Sequence, residues 1–331
     1  MHSSSLIQNI KANNNSIIDM KPERIIGKYT GAEKGPLVIV IGGMHGNEPA
    51  GLRALERMFK MLELEPEHNP AFEFKGCLLG IRGNTQSIEK EVRFIDKDFN
   101  RIWTNEQVAK VKASSIEDLK NEDLELREMI DLLEAEIKAY QPEKIILLDL
   151  HTTTAHGGIF SIPSDTEDSL KLAVELHAPV VLGLLEGIEG TLLHYFRTEN
   201  TGVETISIAF ESGQHNEILS INRAIAAITN CLRTVGCVRA EHVENRHDQL
   251  LISYSKNLPK VTRLVDVHHI KAGDRFEMKP GYTNFQKVKK GEPLAHDING
   301  AIYAQEEALV LMPLYQPIGS DGFFLVRGVE F

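Results

Sequence analysis

The strongest constraint on the fold of this chain comes from two short apolar runs. They are LVIVI at 37–41, which leads into Gly42-Gly43, and IILLDL at 145–150, which leads into His151. Runs of this length that are apolar at nearly every position are typical of strands buried on both faces of a sheet. They are too short to span a bilayer, so no membrane association is expected.

Segments with a helical period lie between the predicted strands. The clearest helices are predicted at 48–64 and at 115–140, just before Pro142. Further strands are predicted at 23–29, 72–81, 179–184 and 204–210, and further helices at 166–177 and 214–236. Strands that alternate with helices predict an α/β fold, with a mixed, mostly parallel sheet covered by helices on both faces.

The character of the chain changes after residue 238. Residues 239–258 are charged and lack a strong period, which predicts a connector. Residues 259–331 contain short apolar runs separated by Gly, Pro and Asn, a pattern typical of β-structure. We therefore predict an α/β domain at 1–238, a connector at 239–258 and a smaller β-rich domain at 259–331.

Charge and cysteine content bear on partners and location. The formal net charge is −11, and an acidic chain gains little from a phosphate backbone, so no nucleic-acid partner is expected. The start, MHSSSLIQNIKANNNS, lacks the pattern of a secretory signal, and the three cysteines form no metal-like pair. These features predict a cytoplasmic protein with reduced thiols. The sequence leaves the oligomeric state open, including a homo-oligomer.

The segment GGMHGNEPAG at 42–51 places His45 and Glu48 in a tight loop directly after a buried strand. Glycines permit backbone angles that let two side chains turn towards one point. Imidazole and carboxylate groups are both zinc ligands, so the pair is a candidate metal motif. The alternative is a glycine turn with a surface histidine and a helix-capping glutamate.

The segment LLDLHTTTA places His151 at the carboxyl end of another predicted strand, where open α/β sheets bind ligands. Two histidines and one carboxylate leave a fourth zinc position open, as in catalytic sites. Asp149, two residues earlier, is a candidate support for this histidine. The alternative for His151 is a capped or surface histidine at a strand end.

Two more segments carry candidate catalytic groups. Residues 84–103 are irregular and polar, and arginines in such a loop can bind carboxylates or stabilise an oxyanion, although a solvated loop is the alternative. In IAFESGQHN at 208–216, Glu211 ends an apolar strand. A carboxylate there suits a general base for a zinc-activated water, and the alternative is a cap for the helix that follows.

Together these segments resemble the succinylglutamate desuccinylase/aspartoacylase family, a branch of the zinc carboxypeptidase-like hydrolases. GGMHGNE resembles the first metal motif of that family, LLDLHTTT its second histidine, and RFIDKDFNR its arginine–asparagine–arginine segment. This chain has Phe99 where leucine is usual, and ESGQ where Glu-Val-Gly or Glu-Ala-Gly is more frequent.

The resemblance implies a role for each matching residue. One zinc ion per chain would be bound by His45, Glu48 and His151. Glu211 would deprotonate the metal-bound water and pass that proton to the leaving amine. Arg93 would polarise the scissile carbonyl. Asn100 and Arg101 would hold a substrate carboxylate, with Asn84 lining the same pocket. The implied fold is a mixed α/β sheet followed by a β-rich carboxy-terminal domain.

Departures from the family pattern limit the substrate assignment. The tyrosine and second arginine expected shortly before the catalytic glutamate have no aligned counterpart, because Tyr195 and Arg197 lie 16 and 14 residues before Glu211. Tyr282 and Tyr315 are candidates for a tyrosine that closes the site.

The leading hypothesis is a zinc-dependent deacylase or amidohydrolase that cleaves an N-acyl amino acid or a similar small carboxylate. A zinc esterase or carboxypeptidase is one alternative, and a non-catalytic zinc- or ligand-binding module is another. No Gly-x-Ser-x-Gly motif of a serine hydrolase occurs in the sequence.

Overall fold

The protein, seen in a computed structural model that describes residues 23–243 and 246–330, is built from a long mixed sheet, a small second sheet and surrounding helices. The strands are β1 (Ile25–Thr30), β2 (Glu33–Gly42), β3 (Lys75–Arg82), β4 (Lys144–Thr153), β5 (Phe160–Pro163), β6 (Val180–Leu182), β7 (Glu204–Gln214), β8 (Val261–His269), β9 (Glu277–Met278), β10 (Gln286–Val288), β11 (Pro293–Asp297), β12 (Gly300–Tyr303), β13 (Ala308–Leu311) and β14 (Asp321–Gly328). The helices are α1 (Ala50–His68), α2 (Thr85–Glu89), α3 (Asn105–Ala113), α4 (Asn121–Tyr140), α5 (Glu167–Glu175), α6 (Leu192–Tyr195), α7 (Thr198–Thr201), α8 (Ile218–Thr234) and α9 (Arg246–Ser255).

The strand order divides the long sheet into two parts. The order is β1-β3-β2-β4-β7-β5-β6-β8-β14-β13-β10, and the small sheet is β12-β11-β9. Strands β3, β2, β4 and β7 are mutually parallel, and we call these four the parallel part. Strands β8, β14, β13 and β10 are antiparallel to their neighbours in this group, and we call these the antiparallel part. Both parts belong to one continuous sheet.

Residues 37–41 of β2 show why this run is apolar at every position. Val38 and Val40 belong to one buried core, together with residues of α1 and α8. Leu37, Ile39 and Ile41 belong to a second core on the opposite face, together with residues of α4. Successive side chains of a strand point to opposite faces, so a strand covered on both sides must be apolar throughout. The predicted α/β class, with a β-rich carboxy-terminal region, is confirmed.

The element boundaries differ from the predictions at functionally relevant places. The helix predicted at 214–236 begins at Ile218, because β7 continues to Gln214. Strand β5 was not predicted; its four residues are too few to show a period. The predicted connector contains helix α9, which packs against α8. A short amphipathic helix of this kind draws most of its stability from such packing, which local sequence does not reveal.

The division of the chain at 238 and 258 into domains stays a prediction. Strand β6 of the amino-terminal segment pairs in parallel with β8 of the carboxy-terminal segment. The main sheet therefore crosses the predicted boundary without a break between these two strands.

The cysteines Cys77, Cys231 and Cys237 are free and buried.

Across the part of the chain that the structure describes, no helix has the length and apolar character needed to cross a bilayer.

Candidate active site

Two neighbouring strand ends bring the predicted metal ligands together. Strand β2 ends at Gly42 and leads into the loop that carries His45 and Glu48, while His151 lies near the end of the adjacent parallel strand β4. One ligand atom from each of the three side chains lies within 4.8 Å of the others, and all three residues are buried. The predicted ligands therefore converge on one point, although they come from segments about a hundred residues apart.

Close backbone packing explains why this loop needs glycine. A Cβ atom on Gly46 would lie 2.1 Å from the backbone carbonyl of Ser87, a contact that no side chain can make. Gly43 has a φ of +74°, which favours glycine at the turn out of β2. These two positions let the loop turn tightly against α2.

Glu48 lies between the two histidines. Its Oε1 is 2.8 Å from His45 Nδ1, and its Oε2 is 3.2 Å from His151 Nδ1. The backbone N–H of Thr152 also donates to Oε2, at 2.9 Å. The inner nitrogen of each imidazole therefore faces the same carboxylate, as expected of three ligands around one ion.

The outer nitrogen of each histidine faces a second carboxylate. His45 Nε2 is 3.0 Å from Asp98 Oδ1, and His151 Nε2 is 2.8 Å from Asp149 Oδ2. A carboxylate behind an imidazole holds the ring in one orientation and makes its other nitrogen a better metal ligand. Asp149 thus occupies the supporting position that the sequence suggested for it.

The electrostatics of this cluster favour a cation. Burial alone would lower the pKa of His151, but the Asp149 and Glu48 carboxylates raise it well above its usual value. Burial would likewise raise the pKa of Glu48, yet the adjacent His45 and His151 hold it well below the ordinary range. Carboxylates that stabilise positive charge on a buried imidazole also suit a divalent ion, so these donors fit zinc.

Arg93 lies beside the candidate ligands. Its Nε and Nη2 donate to Asp98 Oδ2 at 3.1 and 2.8 Å, and its Nη1 is 3.7 Å from Glu48 Oε1. Two hydrogen bonds to one carboxylate oxygen fix the guanidinium plane against the cluster. Arg93 therefore offers a positioned cation at the cavity wall.

Asn100 and Arg101 also line the cavity. The Asn100 side chain accepts a hydrogen bond from Leu192 N at 2.9 Å, and its Nδ2 is 3.4 Å from His151 Nε2. Arg101 donates to the backbone carbonyl of Asn100 at 2.8 Å and to Asp321 Oδ2 at 2.7 Å. Their role in substrate binding stays a prediction, and Arg101 has an acidic partner that the sequence did not indicate.

Asn84 is placed differently from its predicted position in the pocket. Its side chain caps α2 by accepting from Ser87 N, and its Nδ2 donates to Glu122 at 3.0 Å. Asn84 is fully buried and is not among the residues that line the cavity. Asparagine is a preferred helix cap, and this local use explains the residue without a substrate.

Glu211 lies next to the candidate ligands because β7 pairs with β4, and it is the register partner of His151. Only 7% of the residue is exposed, and its Oε2 is buried without a hydrogen-bond partner. Burial raises the pKa of Glu211 to about 8, with Glu48 and Asp149 adding to the shift while His151 and Arg93 oppose it. The alternative role as a helix cap is wrong, because α8 begins seven residues later, at Ile218.

The candidate groups line a single cleft. Its polar wall contains the metal ligands, Arg93, Asn100, Arg101 and Glu211, and its apolar wall contains Ile162, Leu184, Leu185, Ile188, Leu193 and Phe324. Met312, Leu314, Gln316, Gly319, Ser320 and Asp321 add a wall from the carboxy-terminal segment. Both parts of the long sheet thus contribute to the cleft.

Sequence reasoning missed two ionisable residues of the cleft, His215 and Asp321. His215 lines the cleft, with Nδ1 2.7 Å from Thr152 Oγ1 and Nε2 buried without a partner. Its position four residues after Glu211 was the available signal. The local sequence around Asp321 contains no comparable indication, because Asp321 approaches Arg101 only when β14 takes its place in the sheet beside β8.

The two candidate tyrosines do not line the cleft. The Tyr282 hydroxyl donates to Glu292 at 2.8 Å, and the Tyr315 hydroxyl donates to the Lys279 carbonyl at 3.0 Å. Both hydroxyl groups are used inside the carboxy-terminal segment. Tyr195 and Arg197 are also absent from the cleft lining.

Comparison with known proteins places this geometry in a family. A family model described as the succinylglutamate desuccinylase/aspartoacylase catalytic domain matches residues 34–235, more than half of the chain. A probable aspartoacylase from a Nostoc species is 25% identical over 298 residues, which covers 84% of this chain and 90% of the relative. A probable aspartoacylase from Trichodesmium erythraeum is 27% identical over 312 residues, which covers 88% of this chain and 93% of that relative.

Solved structures share the fold. A succinylglutamate desuccinylase from Vibrio parahaemolyticus has a TM-score of 0.60 at 17% identity, covering 90% of this chain and 83% of the other. Murine aminoacylase 3 has a TM-score of 0.58 at 19% identity, and the match covers 89% of this chain and 96% of the other. With the family match and the site geometry, the conclusion is that this chain belongs to the succinylglutamate desuccinylase/aspartoacylase family of hydrolytic enzymes.

Proposed function

We propose that this protein is a zinc-dependent deacylase that cleaves an N-acyl amino acid or a similar small carboxylate. The observation that carries the proposal is the arrangement around one cleft of the ligand set His45, Glu48 and His151 together with Glu211 and Arg93. These three residues would hold a zinc ion, which would supply a water molecule of lowered pKa and would polarise a carbonyl group. One ion per chain is expected.

Glu211 is the proposed general base. It takes a proton from the attacking water, whose oxygen bonds to the acyl carbon, and delivers that proton to the amine nitrogen as the C–N bond breaks. Its burial next to His151 supports this role. Burial raises the pKa of Glu211, but the charges of His151 and Arg93 oppose this shift, and a bound zinc ion would oppose it further, which favours the carboxylate form that a base requires.

Arg93 is proposed to stabilise the negative charge that develops on the acyl oxygen. The two hydrogen bonds to Asp98 hold its guanidinium in place before the reaction starts. A donor that is already oriented stabilises a developing charge without reorganisation, which is the usual basis of oxyanion stabilisation.

Asn100 and Arg101 are proposed to bind the carboxylate of the substrate. Arg101 retains unused N–H donors after its two contacts, since a guanidinium has five. A planar fork of donors matches the two oxygens of a carboxylate. Their position on the wall of the cleft supports this assignment.

Substitution of Glu211 by glutamine tests the proposal. We expect the Glu211→Gln variant to bind one zinc per chain as the original protein does, and to lose about 10²- to 10⁴-fold in kcat, because a positioned base of this kind contributes that much. The measurements are zinc content by elemental analysis and turnover on a panel of N-acyl amino acids, short peptides and simple esters.

Glu204→Gln is the matched control, since it removes the same charge from the exposed beginning of the same strand. Full activity of Glu211→Gln would refute the assignment of the base. Preference of the original protein for peptides or esters over N-acyl amino acids would favour a carboxypeptidase or an esterase with the same residues.

A further inference from the structure

Arg101 shares the cleft with an acidic residue from the carboxy-terminal segment. Asp321, the first residue of β14, lies 220 positions away in sequence, and its Oδ2 is 2.7 Å from Arg101 Nη2. The Asp321 side chain is 9% exposed and that of Arg101 is 22% exposed. The carboxylate-binding end of the cleft therefore presents both a cation and an anion.

The cleft offers little positive charge for a substrate with two carboxylates. Among the described residues that line it, Arg93 and Arg101 are the arginines, and no lysine is present. Each guanidinium already has a carboxylate partner, Asp98 for Arg93 and Asp321 for Arg101. A second substrate carboxylate near this pair would meet the charge of Asp321 in a partly buried setting, where repulsion is poorly screened.

Asp321 also keeps capacity to accept another hydrogen bond. Its Oδ1 accepts from His269 Nδ1 at 2.9 Å, and its Oδ2 interacts with Arg101 and, at 3.4 Å, with Ser320. A carboxylate offers about four acceptor positions, so a substrate ammonium can bind without displacing Arg101. The His269 side chain is 56% exposed and can move aside.

We propose that Arg101 and Asp321 together recognise a substrate that carries a free ammonium group as well as a carboxylate. The substrate class is an acylated diamino monocarboxylic acid, with one nitrogen in the scissile amide and the other protonated. Arg101 binds the carboxylate and Asp321 binds the ammonium, while Leu184, Leu185 and Ile188 contact the methylene chain. This inference rests on the proposed deacylase function of the same cleft.

A purely structural role for Asp321 makes a different prediction. If Asp321 only held Arg101 in place, its loss would weaken the binding of every carboxylate substrate by the same factor. If Asp321 binds the ammonium, its loss weakens the binding of cationic substrates selectively and removes the repulsion of anionic substrates. The ratio between substrates of matched size therefore distinguishes the two roles.

The experiment uses the zinc-loaded full chain and its Asp321→Asn variant. Values of kcat/KM are measured for Nα-acetylornithine, Nδ-acetylornithine, Nα-acetylnorvaline and Nα-acetylglutamate, and dissociation constants for free ornithine, norvaline and glutamate are measured by calorimetry. We expect the original protein to favour the ornithine compounds over the glutamate compounds by about tenfold or more, and Asp321→Asn to lose most of that preference. Asp168→Asn, which removes an exposed charge on α5, is the control and leaves the ratio unchanged.

Each outcome has one meaning. Equal selectivity in the original protein and in Asp321→Asn, a preference of the original protein for glutamate compounds, or no binding of any of the three amino acids overturns the inference. Selective binding of ornithine without hydrolysis of any acyl compound refutes the proposed function but supports recognition by Asp321. Hydrolysis without charge selectivity supports the function and overturns the inference.

Discussion

The parallel part and the antiparallel part of the long sheet contribute to the cleft in different ways. The parallel part supplies the ligands and Glu211 from consecutive strand ends, with side chains already oriented by Asp98 and Asp149. The antiparallel part supplies Asp321 at the start of β14 and the segment before it, which covers the cleft. The comparison teaches that the candidate ligands and the proposed base lie at or just after the ends of parallel strands, whereas Asp321, the residue proposed to distinguish substrates by charge, comes from the antiparallel part.

Phe285 lies just before β10 in a core that contains side chains of both parts, and its loss should have the largest effect on stability. Its ring packs edge-to-face on Phe160 of β5 at 5.8 Å, and it is 7% exposed. Phe285→Ala should lower the free energy of unfolding by about 3–5 kcal/mol, as expected for a buried aromatic side chain. Chemical denaturation is the measurement, and a single transition is expected.

Phe59→Ala, which removes a buried ring of α1 in the core that includes β2, is the control for Phe285→Ala. Two separate transitions in Phe285→Ala alone would mean that the parts unfold independently, and would support the predicted division of the chain into domains.

Glu217 and Arg223 form an ion pair at the start of α8 that makes the stability of the fold sensitive to acid. The hydrogen bonds from Arg223, 2.8 Å each, hold the pKa of Glu217 below its usual value. The pair therefore stabilises the fold fully above the unfolded pKa of about 4.3, and this stabilisation is lost as the pH falls through the lower folded pKa. Glu217→Gln should cost about 1.5–3 kcal/mol near neutral pH, because Arg223 is buried, and less in acid.

Denaturation of the original protein and Glu217→Gln across this acid range measures the difference. Glu306→Gln in the antiparallel part is the matched control, since its pair with Arg327 is exposed and should contribute at most about 1 kcal/mol. A Glu217→Gln effect that is equally large in strong acid would contradict the linkage.

Asp149 should govern metal affinity without contacting the metal. Asp149→Asn weakens the hold on His151 Nε2, so we expect zinc affinity to fall about 10- to 100-fold. Competition with a chromophoric chelator measures this loss. Asp165→Asn, an exposed position after β5, should leave the affinity unchanged. If Asp149→Asn bound zinc as tightly as the original protein, the assignment of Asp149 as a support for His151 would be wrong.

Gln316 should give the smallest effect, confined to substrate binding. Its Oε1 accepts from Asn47 Nδ2 at 3.0 Å, which ties the carboxy-terminal cover to the loop of His45. Gln316→Ala loses one hydrogen bond, about 0.5–1.5 kcal/mol, so KM should rise a few-fold with zinc affinity unchanged. A matching loss of zinc affinity would show that the antiparallel part also supports the ligands.

Much of the parallel part was accessible from sequence because its signals are local. Continuous apolar runs predict buried strands, and a glycine turn or a histidine directly after such a run predicts a group at the sheet edge. The ligands His45, Glu48 and His151 could therefore be named and expected to meet. Glu211 could be named as well, but its alternative role as a helix cap was excluded only when β7 was found to extend to Gln214.

Local sequence by itself determined the α/β class, the order of most strands and helices, and the residues that could act as ligands or base. Only the tertiary structure decided that β4 lies beside β7, so that His151 faces Glu211, that Asn84 caps a helix, and that Asp321 reaches Arg101. The physical reason is that periodicity and turn chemistry depend on neighbours along the chain. Strand pairing and the meeting of distant charges depend instead on how the whole chain buries its apolar surface.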